Sequence, residues 1–68
     1  MTEQEERELR QTLATLKEEH RDLDMAIFAL ESTASPDQLQ IKRLKKRKLS
    51  LRDRIQEIED ILLPDITA

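Results

Sequence analysis

Glu31-Ser-Thr-Ala-Ser-Pro-Asp-Gln38, written ESTASPDQ, interrupts a chain that otherwise reads as continuous helix. The hydroxyls of Ser32, Thr33 and Ser35 offer the backbone side-chain hydrogen bonds that compete with helix. A residue before proline avoids the α region, so Ser35 leaves helical geometry. Ser35-Pro-Asp-Gln38 then has the form of a capping box, with Pro36 at the first helical position, where its missing N–H costs nothing. The pattern predicts an all-α chain with one helix over about residues 2–32, a hinge at 33–35 and a second helix over about 36–63.

The apolar positions on either side of this break decide how the two helices meet. In the first, Leu9, Leu13, Leu16, His20, Leu23, Ile27 and Leu30 alternate spacings of four and three. In the second, Ile41, Leu44, Lys48, Leu51, Ile55, Ile58 and Leu62 alternate three and four. Both are heptad stripes of the coiled-coil kind. Folding the chain back at the hinge pairs them in layers whose residue numbers add to 71, from Leu30 with Ile41 through Leu23 with Lys48 and His20 with Leu51 to Leu9 with Leu62. Two independent stripes agree on one register. The expected architecture is an antiparallel, coiled-coil-like two-helix hairpin in a single domain, 1–68.

The ends are punctuated as well. Thr2-Glu-Gln-Glu5 reads as a capping box, and Glu3, Glu5 and Glu6 stand where the helix dipole favours negative charge. Pro64 stops the second helix, leaving a frayed tail over 64–68. Residues 1–12 form an acidic extension of the first helix.

Composition agrees with helix and excludes much else. The chain has 40% charged residues, one Phe, no Trp or Tyr, and no Gly. Strands and tight turns need the residues that are missing here. Without cysteine there is no disulfide, no thiolate nucleophile and no thiolate metal site. No apolar run approaches the ~20 residues of a membrane span, and the first ten residues are too polar for a signal peptide. The expectation is a cytoplasmic protein that does not enter membranes.

Residues 1–33 carry nine acids and four bases, whereas residues 34–68 carry six acids and eight bases, all eight between Lys42 and Arg54. The halves therefore attract when folded together. The heptad phase pairs Glu31 with Lys45, Asp24 with Arg52, Lys17 with Glu59 and Glu19 with Arg54. Exposed pairs of this kind set register more than stability.

A lone hairpin covers each apolar stripe on one side, and a domain this small usually needs a further staple. Met25, Phe28, Leu39, Leu49 and Ile61 fall off the seam and are the candidate oligomer interface. The expected partner is a second copy, giving a four-helix bundle, with a higher oligomer as the next choice and an unidentified protein as a further one.

Two seam positions are polar. His20 is expected to be a structural, part-buried imidazole bonded to Asp24 or to a neighbouring chain. A metal role fails, because Lys17 stands where a Glu-x-x-His ligand pair needs the acid. Lys48 covers Leu23 with its stem while the ammonium reaches outward. Catalysis finds no foothold: Ser50 has no base placed beside it, and the carboxylates sit on solvated helix faces. No enzyme activity and no cofactor are expected.

The basic segment 42–54 is the remaining candidate for chemistry. Lys42, Arg43, Lys46 and Arg47 form an outward patch, and nucleic-acid binding through phosphates is the alternative function. It is the less favoured one. The charges wrap the helix, part of them answer the acidic helix, and no aromatic side chains interleave for base stacking.

Leu16-Lys-Glu-Glu-His20, Leu23-Asp24, Ile27 and Leu30-Glu31, followed by Leu44-Lys-Lys-Arg-Lys-Leu49 and Leu51-Arg-Asp-Arg-Ile55, resemble the YdcH-like family of small bacterial helical proteins, a domain of unknown function. The resemblance covers roughly residues 14–58 and leaves the acidic stretch 1–12 outside. Arg52 stands where the pattern has Lys, which keeps the charge. The resemblance implies a bacterial cytoplasmic hairpin with no assigned activity and no catalytic residues to carry over. It also places His20 and the basic segment within the family's pattern, as candidates for a shared structural or binding role. The function this supports is a self-associating structural or protein-interaction module.

Overall fold

The computed structural model describes residues 1–63 of the chain. Two helices, α1 (Glu3–Glu31) and α2 (Gln38–Leu62), pack against each other, and no strand occurs among the described residues. The expectations for Pro64 and the tail 64–68 lie outside the described residues. The hairpin is long and thin, 50 × 27 × 15 Å.

The first capping box forms as the sequence indicates. Thr2 Oγ1 accepts from the Glu5 N–H at 3.1 Å, and the Thr2 N–H donates to Glu5 Oε1 at 3.1 Å. The Thr2 backbone N–H and, after it, the Thr2 side chain hold the Glu5 carboxyl below its ordinary pKa, because hydrogen bonds to the carboxylate favour its charged form.

At the far end of α1 the chain stops without glycine and without positive φ among the described residues. Serine and threonine do the work instead. Ser32 Oγ donates to the Phe28 carbonyl at 2.8 Å and Thr33 Oγ1 to the Leu30 carbonyl at 3.0 Å, so these last-turn acceptors gain side-chain donors beside the Ser32 and Thr33 backbone N–H groups.

The second capping box is a correction. The cap of α2 is Asp37, not Ser35: its Oδ1 accepts from the Gln40 N–H at 3.1 Å, and Pro36 lies outside the helix. The helix begins at Gln38 instead of 36, and the connection spans 32–37. An ionised cap on the dipole's positive end is stronger than a hydroxyl. Starting there also puts half-buried Pro36 and buried Ile41 in the two positions of a hydrophobic staple.

The seam is where the stripes place it. All fourteen stripe residues are buried or half-buried. Among the described residues Ile27, Ile41 and Ile58 are the buried hydrophobic ones, and Ile58 is 0% exposed. Lys17–Glu59 and Glu31–Lys45, both at 3.1 Å, have numbers adding to 76, while Glu19–Arg47 on the other flank adds to 66. These values bracket 71 evenly, as two flanks of one antiparallel seam must.

Candidate functional site

Along one side of the seam runs an open groove of about 360 Å³ lined by His20, Asp24, Ile27, Glu31, Lys45, Lys48, Leu49 and Arg52. Ile27 is its buried apolar member. α1 supplies the acids on one bank and α2 the bases on the other, so the charge asymmetry of the sequence becomes a dipolar rim. Just outside, Asp24, Met25 and Phe28 line a second, shallower hollow on the α1 shoulder. The groove thus lies between two exposed apolar side chains, Phe28 on α1 and Leu49 on α2.

Two of the expected ion pairs rearrange in and around this groove. Asp24 does not go to Arg52. Lys48 Nζ donates to Asp24 Oδ1 at 2.5 Å, and the Lys48 side chain is part-buried. Lys48 stands opposite Leu23, the residue beside Asp24, and its part-buried side chain is already oriented toward the acid. Arg52 is left on the groove wall with no ion pair among the described residues. On the opposite flank Arg54 turns back along its own helix to Glu57 at 2.8 Å, and Glu19 faces Arg47 at 4.0 Å instead. An i,i+3 partner costs less ordering than one across the seam.

The Lys48 hydrogen bond and, after it, the Lys48 charge lower the pKa of Asp24 from 3.8. A depressed carboxylate stabilises the fold above its unfolded pKa, and that contribution disappears as pH falls through the lower folded value. Asp24→Asn should therefore melt below the parent protein at neutral pH. The gap should be full above about pH 4 and should close as the pH is taken lower. Thermal melts followed by circular dichroism across that range check this; a gap that widens in acid refutes it.

His20 sits on the same wall, half-buried in the seam. The expected bond to Asp24 does not form, because that carboxylate turns to Lys48. His20 Nε2 is buried with no hydrogen-bond partner among the described residues. Among the described residues no group of three His, Asp or Glu side chains is gathered to hold a metal ion.

The candidate patch is placed as the heptad phase requires. Lys42, Arg43, Lys46 and Arg47 are exposed, and Lys42, Arg43 and Lys46 make no ion pair among the described residues. Of the candidate interface residues, all five are exposed, but the structure brings together only Met25, Phe28 and Leu49 beside the groove. Leu39 lies near the turn, and Ile61 near the open end. Arg52 was missed as a groove residue; its signal was the competition of two bases, Lys48 and Arg52, for one acid.

The family model for proteins of unknown function, DUF465, matches residues 13–59, the two facing helices with their connection and basic segment. The chain belongs to the DUF465 family, which includes the YdcH-like proteins. No curated protein and no solved structure matches it. In this DUF465 chain the matched segment holds the groove, His20 and the whole basic run, while the capping box at Thr2 lies outside it. Among the described residues no helix is long and apolar enough to cross a membrane.

Proposed function

We propose that this protein acts by association, as a small helical module that joins copies of itself and through that assembly contacts other proteins, and not by catalysis. The observation that carries this is unpaired surface. The chain exposes 5709 Å², where a compact monomer of its 8.0 kDa exposes about 4,500 Å². The excess is apolar in part: Met25, Phe28, Leu39, Leu49 and Ile61 are the candidate contacts, with Phe28 73% exposed. Large exposed apolar side chains on a thin two-helix body are what a bundle made from two hairpins would cover. A homodimer is the simplest closed form, with a higher oligomer as the larger one. Association binds the folded state, so the thermal midpoint should rise with protein concentration, by several degrees over a hundredfold range. Light scattering gives the assembly size. A monomer whose cooperative melt ignores concentration refutes the proposal.

A second function has its own support in three outward bases, Lys42, Arg43 and Lys46, that make no ion pair among the described residues, with Arg47 held only loosely by Glu19 at 4.0 Å. Phosphate contacts through such a patch would bind DNA or RNA without sequence preference and with a steep salt dependence. Titration of a labelled duplex at low and moderate salt tests it. Absence of binding at low salt removes it.

A further inference from the structure

The groove face has the geometry of an interface with a second copy of this chain. We propose that two hairpins pack groove to groove about a two-fold axis running along the hairpin's length, each α1 lying over the other copy's α2. This rests on the self-association proposed above and names the face and the symmetry.

A face-to-face pair can be related by an axis along the hairpin or by one across it. An axis across the hairpin lays α1 on α1 and α2 on α2, acid bank against acid bank and base against base. An axis along it exchanges the two helices, so each acidic bank, with Asp24 and Glu31, meets the other copy's basic bank, with Lys45 and the unpaired Arg52. Like charges brought together cost several kcal/mol in association, and complementary ones steer it. The charge distribution selects the axis along the hairpin. All neighbouring helices then run antiparallel, as in an up-down four-helix bundle.

The apolar residues agree with that axis. Helical side chains lean toward their own N-terminus. Phe28 and Leu49 therefore lean toward each other's level, narrowing a gap of about six residues, roughly 9 Å along the axis, in the seam's register. The long Phe28 ring of one copy thus approaches Leu49 of the other, twice by symmetry. The ring also has the open groove of about 360 Å³ to enter. The excess surface, roughly 1,200 Å² per copy above a compact monomer, is more than the about 800 Å² that each partner of a standard-size interface covers. The other flank offers Ala26, Ala29 and the Glu19–Arg47 pair, with no large apolar side chain near the turn.

The cysteine-free chain permits a direct test. Full-length Phe28→Cys and Leu49→Cys variants are treated with a short bis-maleimide, whose spacer bridges a gap too wide for a disulfide, alone and as an equal mixture, with Ala29→Cys plus Leu49→Cys as the control. The expected result is a cross-linked dimer from the Phe28→Cys and Leu49→Cys mixture, with little from either alone or from the control. Phe28→Asp should weaken dimerisation about thirtyfold or more while leaving helicity intact, since the side chain is exposed in the hairpin. Ala29→Asp, exposed on the other flank, should leave dimerisation unchanged. Linkage of Phe28→Cys with itself overturns the symmetry. A parent protein that is dimeric by light scattering, with no linkage from any combination and no response to Phe28→Asp, overturns the face while self-association stands. A parent that stays monomeric removes both proposals.

Discussion

Ile58→Ala is expected to leave the chain largely unfolded at room temperature, with its helical circular dichroism lost. Ile58 is 0% exposed, and the buried hydrophobic set it shares with Ile27 and Ile41 is small. Truncating a buried Ile to Ala costs about 2–5 kcal/mol, the lost transfer energy plus the cavity left behind. A single core in a chain this short rarely supplies more than about 3–5 kcal/mol in total. One substitution therefore removes most of the margin. Its position sharpens the effect: Ile58 faces Leu13 in the register, far from the turn, where the connection no longer holds the helices together. Without it the open halves keep only the half-buried Leu9–Leu62 and Leu16–Ile55 layers and the Lys17–Glu59 pair to close them. Ile58→Val should lose only about 0.5–1.5 kcal/mol and stay folded. Leu39→Ala, at an exposed site, should change the melt little in dilute protein. An Ile58→Ala protein that melts within a few degrees of the parent would show that the seam is not what holds the helices.

The seam was legible because its signal is redundant. Seven apolar or long side chains on each helix recur at heptad spacing, and one register satisfies all of them, so no single residue has to be interpreted correctly. The ends of the connection were less legible. Ser35-x-x-Gln38 and Asp37-x-x-Gln40 are both cap patterns two residues apart, and proline is tolerated both at the first helical position and just before the cap. What separates them is tertiary: Ile41 is buried under the turn, and only the later start sets Pro36 at the staple position beside it. Ion pairs divide the same way. Glu31–Lys45 and Lys17–Glu59 followed from register, because each has one partner at its level. Asp24 has two bases within reach, and the choice of Lys48 depends on how a seam lysine bends outward, which spacing does not encode. The interface candidates were legible as residue types but not as a face. Phe28 and Leu49 become neighbours of one groove only when the helices are laid side by side.

His20→Leu is expected to stabilise the hairpin, by on the order of 1–3 kcal/mol. The imidazole occupies a seam layer opposite Leu51, and its Nε2 is buried without a partner among the described residues. A buried polar atom that has given up water and found no hydrogen bond costs about 1–3 kcal/mol, and replacing it with an apolar group of similar shape recovers that amount. Leucine also restores the heptad that His20 interrupts between Leu16 and Leu23. For a domain of this size each kcal/mol moves the thermal midpoint by roughly 4–8 °C. The melt should rise in proportion, at equal protein concentration so that association does not contribute. A lower midpoint would mean that a water held in the groove satisfies Nε2. A rise has a consequence for function. A residue that weakens its own fold, within the segment matched by the family and on the wall of the groove proposed to dimerise, is placed where a second chain could supply the missing partner. His20→Leu should then raise the stability of the isolated hairpin while failing to strengthen dimerisation to the same degree, and comparing melts at high and low concentration separates the two effects.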